Sequence, residues 1–257
     1  MQFRFKDTTI RITHPDAPSV LAAATARLAA GQGFALATVN LDHLVKLRRD
    51  PAFLAAYAAQ DFVVADGNPI VWLSRLAGRP VRLAPGSDLV LPLVRAAAAA
   101  GRPLSLLGST EAALEAAMAR LQAGVPGLRR GLLIAPPMGF DPEGAAAREM
   151  LARLETLGPG LCLIALGAPK QERLAALGRR LAPAVGFASV GAGVDFVAGT
   201  QTRAPAWVRA IAMEWLWRAL SAPRRMLPRY AACAAILPGQ ALRALAARLR
   251  RPPRDPA

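Results

Sequence analysis

The clearest candidate for a catalytic group is the carboxylate of Asp66. It follows four apolar residues, Phe62–Ala65, and stands directly before Gly67. A carboxylate at the end of a buried strand is partly removed from water, which raises its pKa and suits it to act as a general base. An aspartate that begins a turn or caps the next helix has the same local sequence, so this residue alone does not decide between the two interpretations.

Thr38 and Asn40 stand at the end of a second predicted strand, Phe34–Val39. Side chains two positions apart on a strand point to the same face of the sheet. A hydroxyl and a carboxamide on one face can bind sugar hydroxyls or phosphate oxygens. The pair is a weak indication when taken alone.

Two turns rich in small residues could receive a ligand. Gly167–Glu172 joins a predicted strand to a predicted helix, and the N–H groups at a helix start bind anions. Lys170 adds positive charge there, and Gln171 can bind a sugar or a base. An ordinary helix start with proline in its first turn has the same sequence. The second turn, Gly191–Phe196, would let a ligand approach the backbone closely.

Several kinds of chemistry find no support in the sequence. No G-x-G-x-x-G run follows the first strand and there is no P-loop, which disfavours nicotinamide enzymes, including epimerases, and P-loop ATPases. The histidines, His14 and His43, are far apart, and the cysteines, Cys162 and Cys233, lie in apolar runs. We therefore expect no metal site, no disulfide framework and no cofactor.

Alternating strands and helices must position these residues. The predicted strands are 34–39, 62–65, 104–107, 132–136, 161–166 and 186–190; the predicted helices are 44–60, 69–76, 88–100, 111–123, 142–157, 170–181 and 238–251. Short apolar strands separated by helices predict an α/β fold, with a Rossmann-like, mostly parallel sheet flanked by helices. Ligands of such sheets bind at the carboxyl ends of the strands, where Thr38, Asn40, Asp66, Gly108, Gly167 and Gly191 stand.

The composition changes after about residue 199. Residues 201–257 contain eleven arginines and only two acidic residues, in a chain of net charge +15. A basic segment favours an anionic membrane, a nucleic acid or a phosphate-bearing substrate as its partner, and a solvated basic surface is the plainer interpretation. We predict an α/β catalytic domain at residues 1–199 and a basic, helical segment at residues 200–257, for which the family resemblance described below implies binding of the membrane and of an acceptor substrate.

The last predicted helix carries Leu242, Leu245 and Leu249 on one face, as an interfacial helix does. A helix that packs on the domain has the same pattern. The N-terminus lacks the apolar stretch of a signal peptide, and no apolar run approaches the roughly 18 residues that span a bilayer. We therefore expect a cytoplasmic protein that lies peripherally on the inner face of the cytoplasmic membrane.

Taken in order, the motifs resemble those of the WecG/TagA/CpsF glycosyltransferases. They are Thr38-x-Asn40, Asp66-Gly67, Pro85-Gly86-Ser87-Asp88-Leu89, Gly108-Ser109, Gly167-Ala168-Pro169-Lys170-Gln171-Glu172, Val190–Gly199, Arg203-Ala204-Pro205-x-Trp207, Glu214-Trp215-x-x-Arg218, Pro223-x-Arg225 and Arg229-Tyr230. The G-x-P-K-Q-E and R-A-P-x-W runs are the specific ones. Arg82 departs from the pattern, since it is displaced by one residue from the arginine that often precedes the G-[SI]-D-L run in this family.

The resemblance implies an inverting, metal-independent transfer of a sugar from a UDP-sugar to a polyprenyl-diphosphate-linked acceptor during synthesis of a surface polysaccharide. Asp66 would be the general base. The residues expected to bind substrate are Thr38, Asn40, Gly67, Arg82, Asp88, Gly108, Gly167, Pro169, Lys170, Gln171, Asp195, Arg203, Arg209, Arg218, Arg224 and Arg225. Because the sequence has no acidic metal cluster, arginines and helix N-termini should stabilise the leaving diphosphate.

Another interpretation is a basic module that binds a membrane or nucleic acid on an α/β scaffold. It would explain the charge but neither Asp66 nor the G-x-P-K-Q-E turn. The tryptophans cluster at helical spacing, whereas nucleic-acid binding favours exposed aromatic residues among basic ones, so we expect no nucleic-acid partner. The sugar (ManNAc, ManNAcA or glucose), the pathway, the formation of a homo-oligomer and the role of the tail after Tyr230 stay open.

Overall fold

The computed structural model describes residues 1–205, 207–208 and 211–250, with only the backbone of Arg218 and Arg225. The strands are β1 (Gln2–Phe5), β2 (Thr8–Arg11), β3 (Phe34–Val39), β4 (Phe62–Ala65), β5 (Leu104–Gly108), β6 (Arg130–Ile134), β7 (Gly160–Ala165) and β8 (Val185–Ser189). The helices are α1 (Ala17–Ala29), α2 (Leu41–Leu47), α3 (Pro51–Ala58), α4 (Asn68–Leu76), α5 (Gly86–Ala99), α6 (Glu111–Gly124), α7 (Ala145–Leu157), α8 (Lys170–Leu181), α9 (Gly193–Ala198), α10 (Glu214–Ser221) and α11 (Pro223–Leu249).

Strands β3 to β8 form one parallel sheet in the order β4-β3-β8-β7-β5-β6. The predicted α/β class with a parallel sheet flanked by helices is confirmed. Because the strands run in one direction, their carboxyl ends meet at one edge. The register pairs Val39 with Ala65 and Ile164 with Ser189, so the residues that follow these strands lie side by side.

Helices cover both faces of the sheet, which explains why its central strands are apolar throughout. On one face, Phe34 and Leu36 of β3 pack in a core shared with α1, α5 and α6. On the other face, Ala35 packs in a core with α7 and α8, while Ala37 and Val39 pack in a core with α2, α3 and the β1–β2 hairpin. Cys162 and Cys233 are free thiols buried in these cores, as predicted.

The single helix predicted over 44–60 is wrong, because the chain forms α2 and α3 there instead. Asp50 accepts a hydrogen bond from the Phe53 N–H through Oδ1 (2.9 Å) and so caps α3. Pro51 takes the first helical position, where its missing N–H leaves no bond unmade. An Asp-Pro pair that begins a helix also ends the preceding one, since proline disfavours helical backbone in the residue before it.

The helix predicted over 238–251 is also longer than expected. It is the C-terminal part of α11, which is 27 residues long and contains Pro228 and Pro238 within its length. This helix packs against α2 and α4. It buries Cys233 and Ala244 in the core that also contains α2, α3 and the β1–β2 hairpin. No helix in the described part of the chain has the length and apolar character to cross a membrane. The division into residues 1–199 and 200–257 stays a prediction.

Candidate active site

The carboxylate of Asp66 lies at the carboxyl edge of the sheet, directly after β4. Its backbone N–H donates to the Val39 carbonyl (2.8 Å), which extends the pairing of β3 and β4 by one residue. The side chain is partly exposed, and its Oδ2 lies 3.5 Å from Asn40 Nδ2. Gly67 follows with φ of 94°, a conformation that favours glycine. The polar ends predicted for β3 and β4 therefore come together.

Asn40 combines a structural and a site position. Its Oδ1 accepts the His43 backbone N–H (3.0 Å) and caps α2. Because the carbonyl oxygen of the carboxamide is engaged by the cap, the NH₂ group is the one that faces Asp66. The helix cap thus fixes which end of the carboxamide reaches the carboxylate.

Thr38 lies deeper than Asn40, and its side chain is buried. Its main-chain oxygen accepts a hydrogen bond from the Tyr57 hydroxyl (2.8 Å). The same hydroxyl lies 3.0 Å from His43 Nδ1. Burial is the main cause that lowers the pKa of His43 to about 3, so this histidine is neutral near pH 7 and serves as a packing residue.

The start of α8 brings Gln171 to the same edge, next to the end of β8. Gln171 Oε1 accepts the Gly191 backbone N–H (3.1 Å), and Gln171 Nε2 donates to Glu172 Oε1 (2.8 Å). The preceding peptide bond between Ala168 and Pro169 is cis, and the Ala168 carbonyl accepts a hydrogen bond from Lys46 Nζ (3.1 Å). Both Gln171 and Asp66 therefore follow strands at this edge, as the sequence predicts.

Of the other predicted residues in this turn, Gly167 is exposed, and Pro169 and Lys170 are partly exposed. Lys170 begins α8. The Gln171 N–H in this first turn already donates to the Gly167 carbonyl (3.1 Å), so the positive end of the helix dipole and the Lys170 charge are what this turn can offer to an anion.

A second group of predicted residues surrounds the starts of α5 and α9. Asp195 accepts hydrogen bonds from Ser109 Oγ (2.5 Å) and Gln201 Nε2 (2.9 Å). Asp88 is exposed on the first turn of α5 and forms an ion pair with Arg203. These contacts tie the end of β5, α9 and the segment after it to α5.

Gly86 lets α5 approach the end of β8, and Gly193 lets α9 approach α5. A Cβ atom on Gly86 would lie 3.1 Å from Val190 Cα, and one on Gly193 would lie 2.8 Å from Val90 Cγ2. At Gly108, with φ of 114°, a Cβ atom would lie 2.4 Å from the Ala165 carbonyl oxygen. The glycine predicted at residue 108 is therefore required by packing between β5 and β7.

Arg82 lies next to the edge of the sheet. Its backbone N–H donates to the Pro15 carbonyl (2.7 Å), and Ala84 N–H donates to the Ala65 carbonyl (2.8 Å). The side chain is exposed. Its charge adds to the hydrogen bonds from Ser19 that lower the pKa of Asp16. The segment that contains Arg82 therefore runs beside the residue before Asp66.

The structure describes the side chains of two of the predicted C-terminal arginines, Arg203 and Arg224. Arg203 pairs with Asp88 and lies 5.9 Å from the ring centroid of Phe196, and Arg224 is exposed in the first turn of α11. Arg209 lies outside the described residues, as do the side chains of Arg218 and Arg225. The role expected for each of these arginines stays a prediction.

Sequence reasoning gave no role to the ion pairs of Asp42 or to the buried side chains of Tyr57 and Glu172. Arg229 of α11 donates to Asp42 Oδ2 (2.7 Å), and Lys46 lies 2.8 Å from the same oxygen. Tyr57 and Glu172 are buried behind the strand ends. Glu172 belongs to the G-x-P-K-Q-E run, so the motif contained it, whereas the pairing of Arg229 with Asp42 joins residues too distant for any local pattern.

No group of three or more His, Cys, Asp and Glu residues that could hold a metal ion occurs in the part of the chain that the structure describes. The expectation of a metal-independent reaction stays a prediction, as does the expectation that no cofactor is needed.

Comparison with known proteins adds the chemical class. Residues 6–254 match the model of the glycosyl transferase WecG/TagA/CpsF family. The chain is 27% identical over 213 residues to the N-acetylglucosaminyldiphosphoundecaprenol N-acetyl-beta-D-mannosaminyltransferase of Bacillus spizizenii, covering 80% of each chain. It is 25% identical over 206 residues to the protein of the same name from Bacillus subtilis strain 168, covering 77% of this chain and 78% of that one.

Proposed function

Because the chain belongs to the WecG/TagA/CpsF family of glycosyltransferases, we propose that it transfers a sugar from a UDP-sugar to a polyprenyl-diphosphate-linked acceptor, with inversion and without a metal ion. The observation that supports this most directly is the Asp66 carboxylate, partly exposed beside Asn40 at the carboxyl edge of a parallel sheet. A glycosyltransferase with this arrangement has one base available to the acceptor hydroxyl. A module that only binds a membrane or nucleic acid does not require it.

The proposed acceptor is N-acetylglucosaminyl-diphosphoundecaprenol. The two Bacillus relatives carry this acceptor in their names, together with N-acetylmannosamine as the transferred sugar. An N-acetylmannosamine donor is therefore the first choice for this chain. The product would enter the synthesis of a cell-envelope polysaccharide.

In the proposed reaction, an acceptor hydroxyl oxygen attacks the anomeric carbon of the donor while the bond from that carbon to the UDP oxygen breaks. Asp66 accepts the hydroxyl proton, and UDP leaves with the bonding electron pair. A single displacement of this kind inverts the anomeric centre. General-base catalysis by a positioned carboxylate contributes about 10²- to 10⁴-fold in rate.

The departing diphosphate requires positive charge. The first turn of α8 places the positive end of the helix dipole next to Lys170, and helix N-termini favour phosphate oxygens. Arg224 at the start of α11 and Arg203 beside α5 supply guanidinium groups in the described chain. Guanidinium groups bind phosphate with two parallel hydrogen bonds, so we assign the leaving-group role to arginines of the C-terminal segment.

The C-terminal helix also supports peripheral membrane binding at the cytoplasmic face. Leu242, Leu245 and Leu249 are 68%, 42% and 85% exposed, so the apolar face of α11 stays uncovered within the described chain. Arginines in the same segment suit an anionic lipid surface. An acceptor whose prenyl chain is embedded in the bilayer would meet the enzyme there.

A donor screen tests the proposed function. The full chain would be mixed with synthetic N-acetylglucosaminyl-diphosphoprenol and each of several UDP-sugars, and the release of UDP and the glycosylated lipid would be measured. We expect turnover with UDP-N-acetylmannosamine in the presence of EDTA. Failure of every UDP-sugar to react, together with no stabilisation of the protein by UDP against thermal unfolding, would remove the UDP-sugar proposal.

A further inference from the structure

The carboxamide of Gln171 is held at both of its ends. Its Oε1 accepts the backbone N–H of Gly191 (3.1 Å), and its Nε2 donates to Glu172 Oε1 (2.8 Å). Gln171 is only 4% exposed. The side chain therefore links the first turn of α8 to the loop between β8 and α9.

Glu172 decides which way this carboxamide points. The carboxyl oxygen Oε1 of Glu172 accepts a hydrogen bond, and of the two ends of an amide only the NH₂ group can donate one. The carbonyl oxygen of Gln171 then faces Gly191, whose backbone N–H it accepts.

Glu172 occupies an unusual environment for a carboxyl group. It is 0% exposed, and among the described residues its Oε2 has no hydrogen-bond partner. The ion pairs of the described chain do not include it. Burial of a carboxyl group without an ion pair opposes folding, so packing alone gives no reason for a glutamate at this position.

The groups that face Glu172 connect it to the candidate base. Lys46 of α2 and Tyr57 of α3 interact with it electrostatically. Burial raises the pKa of Tyr57, and the carboxylates of Glu172 and Asp66 raise it further. Tyr57 therefore lies within the electrostatic range of both acids.

We propose that Glu172 is a positioning residue for the glycosyl transfer: its buried carboxyl group fixes the Gln171 carboxamide and, through it, the Gly191 loop at the edge of the site. The inference rests on the proposed function, because it assigns Glu172 to that same site. It also predicts a property of the protein that needs no substrate. The backbone N–H of Gly191 should report the state of the Glu172 side chain.

Two substitutions of the full chain separate positioning from packing. Glu172→Gln keeps the size of the side chain and an oxygen that accepts from Gln171, whereas Glu172→Leu removes the acceptor. Glu149→Leu, at an exposed position of α7, is the matched control. The readouts are the ¹H–¹⁵N resonance of Gly191, the melting temperature, and kcat and KM with UDP-N-acetylmannosamine and the prenyl-diphosphate acceptor.

We expect Glu172→Leu to fold with an equal or higher melting temperature, to shift the Gly191 resonance, and to lower kcat at least tenfold. Glu172→Gln should leave the Gly191 resonance near its wild-type position and keep activity within about threefold of wild type, because the new side chain retains an oxygen that accepts the hydrogen bond from Gln171. A Gly191 resonance that does not move in Glu172→Leu, or equal losses in both variants, would overturn the proposal.

If Glu172→Leu does not fold, a pH titration of the Gly191 resonance decides. Burial raises the pKa of Glu172 to about 7, so the wild-type resonance should titrate near that pH and the Glu172→Gln resonance should not. A resonance that titrates alike in both proteins overturns the proposal. Should no UDP-sugar be transferred while Gly191 still follows Glu172, the proposed function fails and the link between Glu172, Gln171 and Gly191 stands.

Discussion

Asn40 Nδ2 lies 3.5 Å from Asp66 Oδ2 while Asn40 Oδ1 caps α2. One carboxamide thus joins a helix start to the carboxylate at the end of the neighbouring strand. This relationship explains how two polar residues 26 positions apart in the chain form one site. Substitutions can therefore separate the role of Asn40 as the cap of α2 from its contact with Asp66.

Replacing Asp66 with asparagine should remove the base and keep the fold. We expect kcat to fall by about 10²-fold or more, because a neutral carboxamide cannot accept the acceptor proton. We expect UDP to raise the melting temperature of this variant as much as that of the wild type. Asp7→Asn, at an exposed position between β1 and β2, is the matched control and should retain full turnover. Wild-type turnover in Asp66→Asn would take the base role from this residue.

Substitutions at Asn40 should split stability from activity. Asn40→Asp keeps an oxygen that caps α2, so its unfolding free energy should change little, whereas Asn40→Ala should lose about 1 kcal/mol. A second carboxylate beside Asp66 disfavours ionisation of the pair. The acid limb of kcat/KM in Asn40→Asp should therefore move to higher pH. An unchanged pH profile would mean that the contact between Asn40 and Asp66 does not matter for the reaction.

The ion pair between Asp42 and Arg229 should hold α11 to α2. Burial opposes ionisation of Asp42, but hydrogen bonds from Arg229 and Lys46 outweigh it and lower the pKa. The stabilisation is then complete above the ordinary pKa of an aspartate, near 4, and is lost as the pH falls through the lower pKa of the folded state.

Arg229→Gln should accordingly increase cleavage within α11 by a protease at pH 7, with a change in unfolding free energy of no more than about 1 kcal/mol because the pair is partly exposed. Arg243→Gln, also on α11, is the control. Equal cleavage rates in the two variants would contradict this role.

The uncovered leucines of α11 should drive binding to lipid. Changing Leu242, Leu245 and Leu249 together to glutamine should weaken binding to anionic vesicles by at least tenfold and leave the melting temperature within a few degrees, since these side chains are exposed. Glutamine at the exposed leucines 83, 157 and 181 provides the control. Vesicle sedimentation measures the effect, and undiminished sedimentation of the α11 variant would exclude this face.

Glu172 should make the protein less stable as the pH rises. Burial raises its pKa from 4.5 to about 7, so between these values the unfolded chain ionises while the folded chain stays protonated. The unfolded state then binds fewer protons, and the free energy of unfolding falls with increasing pH. Urea unfolding at pH 5 and pH 8 should show Glu172→Gln gaining up to about 3 kcal/mol on the wild type. Parallel behaviour at both pH values would contradict the raised pKa.

The sequence was sufficient to predict the parallel sheet, because strands covered on both faces are apolar at every position, as β3 is in Phe34–Val39. It also placed Asn40 and Asp66 at strand ends, and parallel strands bring such ends together. Prolines account for two helix boundaries that were predicted wrongly. Pro51 begins a new helix that was predicted as the continuation of the preceding one, whereas Pro228 and Pro238 lie inside a helix that was predicted to begin later.

Contacts between distant parts of the chain could not be predicted in this way. The hydrogen bond from Gly191 to Gln171 depends on β7 and β8 being neighbours, and local patterns do not reveal strand order. The pairing of Arg229 with Asp42 spans 187 positions. Periodicity identifies the face of a helix that is apolar, but which partner each charged residue meets is decided by the packing of α11 against α2.

The short helix α2 contacts both the candidate base and the long C-terminal helix. Asn40 caps α2 and lies next to Asp66, and Asp42 in the first turn of α2 forms an ion pair with Arg229 of α11. Asn40 and Asp42 are two positions apart, less than one helical turn of 3.6 residues. If α11 binds lipid as proposed, α2 would transmit a shift of α11 to the carboxamide beside Asp66, and membrane binding would then alter the surroundings of the base.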